Sequence, residues 1–557
     1  MTEVFRLADS YVDELCALDP FTATYLGTSG HDDEVTDYSP DGVEARVDLA
    51  RITLRALVDA AIESDADRIA AAVLRDRLDA EVEAYGAGAP WRHLSNFDCP
   101  LTFTRLAFDL SPRDTPEDWE RIATRMSRVP DALDGFTASL RHGLANGLIA
   151  PRRQALVCAG QAATLGGLDP GEPAYFAGIA AGWVHDDATA RRLRRSAQAA
   201  TSAYAAMSTF LREEYAPQAP AADSAGRELY AIGMRRWLGM TGDPEEIYAW
   251  GWDELHRIEA EMAVTAEQIA PGAGVEGAIA VLRDDPARSI DGIDRLLAYL
   301  QELTDRTIAD LDGTHFDIPE PLHRIECREA PPGTAAAMYY TAPSADFSRP
   351  GRTWYPAMGQ TRFPLWTEVT TAYHEGVPGH HLQIGLCMTF QDRLTTFQRR
   401  LGLYSGHAEG WALYAERLMQ ELGYLENPDY LFGMLVSQAF RAMRVIVDIG
   451  LHLQLPIPND EAYHPGRIWD WETALPFVSR YCGFAGPDMA RSELERYCGM
   501  PAQAISYKVG ERVWLDVRAR LRARLGSAFD LKRFHMEALN VGSLPLDLLE
   551  RELLGTG

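Results

Sequence analysis

The residues best able to do chemistry in this 557-residue chain are crowded together: of its 14 histidines, His374, His380, His381, His407 and His452 all fall between positions 374 and 452. The centre of the cluster reads TEVTTAYHEGVPGHHLQ, with His374 and Glu375 side by side as in the helical zinc motif HExxH. In that motif two histidines four residues apart share one helical face and bind the metal, and the glutamate beside the first activates the metal-bound water. Here Pro378 stands where the second histidine would be, and the next histidines come six and seven residues on. Pro378 has no amide to offer the carbonyl of His374, and Gly379 loosens the backbone further, so a kink or bulge is expected after Val377. A bulge would return His380 toward His374, whereas an unbroken helix would favour His381. Spacing alone leaves the second ligand open.

Two further segments carry polar groups on otherwise apolar helices. In SGHAEGWALYAERLMQEL, Glu409 and Glu416 lie seven residues apart on one face, and Glu409 follows His380 by 409 − 380 = 29 residues, room for a turn and a second antiparallel helix. Trp411, Ala412 and Leu413 beside it argue for burial. A buried carboxylate needs a cation or a metal. In LFGMLVSQAFRAMRVIVDIGLHLQL, Gln438, Arg441, Arg444, Asp448 and His452 keep to one side of the helical wheel. A buried helix lining a polar cleft fits this pattern. Its arginines would pair with Asp448 and Glu416, or receive a peptide carboxylate through bidentate contacts.

The rest of the chain must position these groups. Amphipathic helical periodicity dominates the first three hundred residues, broken by Pro and Gly clusters at 84–92, 166–178, 216–226 and 270–277. From about 313 to 362 the character changes, with short strand-like pieces around HRIECREA, AAAMYYTAP and RTWYPA. Helical periodicity returns at 365 and continues to the C-terminus, apart from an irregular, aromatic-rich stretch from about 455 to 487. The expected fold is mainly α: a large helical, cleft-forming body with a small β element before the metal-binding helix. Residues 1–312 would form a helical half covering the cleft and 313–557 the catalytic half, the two making one continuous structural unit.

Composition narrows the partners. With 53 basic against 81 acidic residues the formal charge is −28, which excludes a phosphate-tracking nucleic-acid surface and disfavours an anionic membrane. No run approaches the roughly 18–20 apolar residues of a spanning helix, and the acidic start MTEVFRLADS lacks the form of an export signal. Seven scattered cysteines, never spaced CxxC, read as reduced core residues, so a cytoplasmic location is expected and any metal must be held by His and carboxylate. Oligomeric state is left open.

With these residues in hand, the chain resembles, over nearly its whole length, the bacterial family called domain of unknown function 885. HEGVPGHHLQ (374–383) looks like the family's HExxPGHxxQ, EGWALYAE (409–416) like its second signature, RVIVDIGLH (444–452) like its third and PAQAISYKVG (501–510) like its fourth; DPFTATYLGTSGHDDEVTDYSP near the start also fits. The resemblance implies a zinc metallopeptidase of the HExxH group with a helical, cleft-forming fold similar to the oligopeptidases. It favours His380 over His381, makes Glu409 the third ligand, and places His381, Gln383, Glu416, Arg441, Arg444 and Asp448 around the metal or the substrate. One departure is Ala502, where the family's fourth signature has glycine. If that glycine takes a positive φ, the local turn should differ here.

The expected chemistry is amide hydrolysis with one Zn²⁺ per chain on His374, His380 and Glu409, an open fourth position, and Glu375 as the base that shuttles the water's proton to the leaving amine. Tyr507 is the first candidate to stabilise the oxyanion, with His452 and Tyr404 behind it. The strand-like region before the metal helix could add an edge to an extended peptide. The substrate would be a peptide or a small amide. The same ligands would serve hydrolysis of a small non-peptide amide or ester, or belong to a binding protein that keeps the fold without turnover.

Overall fold

Helix starts in this chain are written in Ser, Thr and Asp. Thr2, Asp19, Ser39, Ser64, Thr115 and Asp186 each accept an amide proton from the first turn that follows, which satisfies donors a helix leaves unpaired. The computed structural model describes residues 1–169, 174–330, 338–344, 346–482 and 487–555. As expected from the periodicity, it is mainly helical with a small strand content. The chain divides into two compact units that are not the halves 1–312 and 313–557. One comprises residues 1–233, 450–475 and 488–501, the other 234–449, 476–487 and 502–557.

The first unit is built round the helix Asp187–Phe210, which packs on the helices Pro116–Ser127, Val129–Ala145, Arg152–Leu165 and Tyr175–Ala181. Its core is aromatic and small-residue in character: Phe108, Phe176 and Tyr204 meet face and edge among Ala155, Ala159, Ala162 and Ala200. The early segment around DPFTATYLG is closed by polar anchors. Asp19 accepts from the amide of Thr22 and the hydroxyl of Thr36, while the fully buried Arg125 donates to the carbonyls of His31 and Glu34. That signature is therefore structural.

Among the described residues the strands all lie in the second unit: β1 (Ser289–Asp291), β2 (Ile325–Glu329), β3 (Tyr339–Thr341), β4 (Gly351–Tyr355) and β5 (Arg362–Pro364). β4 lies between β2, to which it is parallel, and β3, to which it is antiparallel; β1 and β5 form a separate antiparallel pair. The three strand-like pieces of the sequence correspond to β2, β3 and β4, with residues 335–337 outside the described residues. The outer edge of β2 is closed by a side chain, because Gln301 donates to the carbonyl of Ile325 and accepts the amide of Cys327. Among the described residues, the β3 side is the edge of this sheet at which an extended peptide could be added. The interruption expected over 455–487 is shorter than it reads in sequence, since a helix runs from Trp471 to Cys482 with Pro476 inside it.

Two pairs of helices approach closely through glycine. A Cβ on Gly410, in the helix Ser405–Glu421, would meet the backbone of Gly510, in the helix Ser506–Leu525, at 2.4 Å. One on Gly510 would lie 2.0 Å from the carbonyl oxygen of Gly406, and one on Gly433, in the helix Pro428–Leu453, would lie 1.6 Å from that of Trp366. Such backbone contacts tolerate no side chain. The helix Pro428–Leu453 is, among the described residues, the one long and apolar enough to cross a membrane, yet 78% of its apolar window is buried. It is an interior helix in which Arg441, Arg444 and Asp448 interrupt the apolar run.

Ala502, where a glycine was looked for, has φ 68° and is fully buried. The left-handed turn is therefore kept and the alanine bears its strain, contrary to the expectation of a different turn. The Ala502 amide donates to Asp448 Oδ2 at 3.0 Å. Gly510→Ala should lower the stability of the chain by at least about 2 kcal/mol in denaturant titrations. Gly160→Ala, on a helix with no atom within 4 Å of the new methyl group, should raise it by about 0.4–1 kcal/mol.

Candidate metal centre

His374 ends one helix, Leu365–Glu375, and His380 begins the next, His380–Thr389. Between them Gly376, Val377, Pro378 and Gly379 leave the helical path, with a cis peptide at Val377–Pro378. The break expected after Val377 thus begins one residue after Glu375. Its backbone groups are still used: Gly376 N–H bonds to Ala372 O, Gly379 N–H to Tyr373 O and His381 N–H to Gly376 O. A Cβ at Gly379 would stand 1.9 Å from His374 O, so this close return is open to glycine alone. Trp411, fully buried on the neighbouring helix, clamps the bulge by donating its indole N–H to Pro378 O at 2.8 Å. In the sequence Trp411 signals only burial, and nothing in its spacing announces the contact with Pro378 O.

The bulge brings the rings of His374 and His380 to 4.8 Å between centroids, nearly perpendicular. Glu409, from the helix Ser405–Glu421, puts Oε2 3.4 Å from His374 Nε2 and 3.5 Å from His380 Nε2. One donor atom from each of the three residues lies within 4.8 Å of the other two, an arrangement that could hold a metal ion. Glu409 Oε2 is buried without a hydrogen-bond partner. Such an atom is costly unless something positive meets it.

Around this triad the polar groups are ordered. Glu416 Oε1 accepts Nδ1–H of His374 at 2.8 Å and its Oε2 accepts from the Thr370 hydroxyl at 3.3 Å, which fixes the tautomer that leaves His374 Nε2 facing Glu409. Burial works to lower the His374 pKa, but Glu409 and Glu416 outweigh it and raise it to about 9. Burial likewise works to raise Glu409, and the two imidazoles overcome it and hold the carboxyl well below the usual range. Glu375 is raised by burial, against the opposing charges of His374, His380 and Arg441. On the same helix, seven residues before Glu375, burial pushes Glu368 up to about 7.

His381 is not part of the triad. Its Nε2–H donates to Leu322 O and its Nδ1 accepts the Tyr340 hydroxyl, both at 3.0 Å, and burial lowers its pKa to about 4. It ties the helix His380–Thr389 to β3. Gln383 donates weakly to His407 O at 3.4 Å. The expected pairing of the arginines with Glu416 is not made, because Glu416 is taken by His374 and Thr370. Arg441 donates to Ser437 O at 3.2 Å and to the Ser437 hydroxyl. The guanidiniums of Arg441 and Arg444 stand 5.8 and 4.7 Å from the Tyr507 ring centroid. Tyr404 is buried at the start of the Glu409 helix, its amide bonded to Ser543 Oγ.

His452, expected in catalysis, belongs to the first unit, and both ring nitrogens are committed there: Nε2–H donates to Tyr497 O and Nδ1 accepts the Ala225 amide. Burial lowers its pKa to about 4. A neutral, fully buried, doubly bonded imidazole is a structural group. Gln438, the remaining member of the polar stripe, accepts from Lys508, which also pairs with Glu254 and Glu511.

Residues 20–553 match the family described as bacterial protein of unknown function (DUF885). The chain belongs to this family. Two solved structures, each of a protein described as a putative lipoprotein, resemble the DUF885 chain over its whole length. One is from Colwellia psychrerythraea (TM-score 0.83, 22% identity, 98% of that chain covered), the other, of unknown function, from Shewanella oneidensis (0.75, 16%, 100%). At these identities the likeness shows a shared fold. No curated protein matches the sequence.

The raised His374 pKa has a pH consequence. A group with a folded pKa of about 9 and an unfolded value near 6.5 stabilises the fold fully below about pH 6.5 and loses that contribution as pH rises through 9. In chelator-treated protein, denaturant stability should fall by on the order of 3 kcal/mol between those limits. Glu416→Gln should shrink the fall.

Proposed function

We propose that this DUF885 chain is a zinc-dependent hydrolase that cleaves peptides. The observation that carries the reading is Glu409 Oε2, buried without a hydrogen-bond partner and facing two imidazole nitrogens at 3.4 and 3.5 Å. Two ligand atoms about 2.0–2.1 Å from a tetrahedral ion lie about 3.3–3.4 Å apart, so the spacing suits zinc. His374, His380 and Glu409 would hold it, with Glu416 behind His374 in the carboxylate–histidine relation common to such sites. Bound there, the ion would polarise the scissile carbonyl and lower the pKa of a water from about 15.7 toward 7.

The chain's own groups do the rest. Glu375, adjacent to His374 and with its pKa raised by burial, would accept a proton from the attacking water and return it to the departing amine nitrogen. A non-catalytic metal site has no use for that carboxylate. The charge of Arg441 opposes that rise. The Tyr507 hydroxyl is the proposed oxyanion donor. With His452 committed elsewhere, that role does not pass to it.

We further infer a cytoplasmic location from seven cysteines, six of them buried and none in a disulfide. The description attached to the two structural relatives points instead to an anchored or exported chain. Fractionation of the source cells should recover this protein with the cytosol.

Metal analysis beside a peptide-library assay tests the function. The purified chain should carry about one zinc and cut peptides. Glu409→Ala should lose the metal, whereas Glu375→Gln should keep it and lose about 10²–10⁴ in kcat. Absence of zinc from both the native chain and Glu375→Gln would overturn the assignment.

A further inference from the structure

The interior helix Pro428–Leu453 brings two cations to one place, and of these the catalytic reading draws only on the field of Arg441. Arg441 and Arg444 are three residues apart, and both guanidiniums lie over the ring of Tyr507, at 5.8 and 4.7 Å; Arg444 also lies 4.2 Å from the centroid of Phe440. An arginine stays charged at any ordinary pH and is held by aromatic faces without being neutralised. Arg441 is the telling member. Its Nε is buried without a hydrogen-bond partner, and its guanidinium bonds to Ser437 of its own helix and to no carboxylate among the described residues. A buried guanidinium edge with no acceptor calls for an anion from outside.

We propose that Arg441, with Arg444 beside it over Tyr507, receives the C-terminal carboxylate of a peptide, so that the chain acts at the carboxyl end of its substrates. The proposal rests on the hydrolase reading above and narrows its substrate class. A carboxylate is the group whose two oxygens match the parallel N–H donors of a guanidinium, and a second arginine supplies the charge to extract it from water. The charge of Arg441 also acts on Glu375, which puts this subsite within electrostatic reach of the proposed base. Substrates would be fixed by the metal at the scissile carbonyl and by Arg441 at the free end, and peptides lacking that end would bind poorly.

Three N-acetylated tripeptides decide it: one with a free C-terminus, its C-terminal amide, and an amide ending in Glu. Calorimetric titration into the zinc-supplemented chain does not depend on turnover. The free acid should bind at least about tenfold more tightly than either amide. Arg441→Gln should bring that ratio toward one, and Arg441→Lys should retain part of it. Equal binding of acid and amide by the native chain, or a preference that survives Arg441→Gln, overturns the proposal. Recovery of tight binding by the Glu-terminated amide overturns the assignment to the chain end. Should Arg441→Gln fail to fold, the native chain and Arg441→Lys carry the comparison. In the peptide library, cuts at a fixed distance from the C-terminus are expected, and random internal cuts count against the subsite. If the native chain cuts nothing, the hydrolase reading fails while the calorimetric ratio still judges the carboxylate site.

Discussion

The return of the backbone at Gly379 to within contact of the His374 carbonyl is the constraint on which the site depends. It converts a spacing of six residues, which on a regular helix would put two histidines on diverging faces, into a pair of imidazoles in contact. No hydrogen bond of the main helix could do this, since the conversion needs the chain to leave the helix and rejoin it. What holds the detour is a set of short-range bonds from Gly376, Gly379 and His381 together with one long-range bond, the Trp411 indole to Pro378 O. Trp411 lies two residues from Glu409, so the same helix both secures the bulge and delivers the third donor.

That helix in turn is placed by backbone contact. Gly406 and Gly410 face Gly510 so closely that the two helices meet main chain to main chain. The contact seats Glu409 and Glu416 on one side and brings the start of the Ser506–Leu525 helix, with Tyr507, into the same unit. Lys508, beside Tyr507, is buried in a network with Gln438, Glu254 and Glu511. Buried charge of this kind is stable only when fully paired.

Much of this was legible from residue types. The helical character, the three strands before the His374 helix, the break near Val377 and the grouping of His374, His380 and Glu409 follow from periodicity, proline chemistry and the resemblance to the family. The parts that escaped are those in which sequence spacing is silent about a partner. A one-sided stripe from Gln438 to His452 looks like a single polar wall, yet the structure sends Gln438 to Lys508, Asp448 to the Ala502 amide and His452, already in the first unit, to backbone groups of that unit. His381 differs from His380 by one position and by a half-buried tyrosine 41 residues earlier. The division into units also runs against chain order, because residues 450–475 and 488–501 join the N-terminal unit.

The left-handed alanine at 502 limits how this part of the chain can vary. Reversion to glycine relieves the backbone strain and gives up one buried methyl, two small and opposing effects. A β-branched residue would have to share the same φ with a second substituent on Cβ, in a place with no solvent to turn toward. Substitution at 502 is therefore free in one direction and closed in most others, and the amide that serves Asp448 survives only where the side chain stays at one carbon or none.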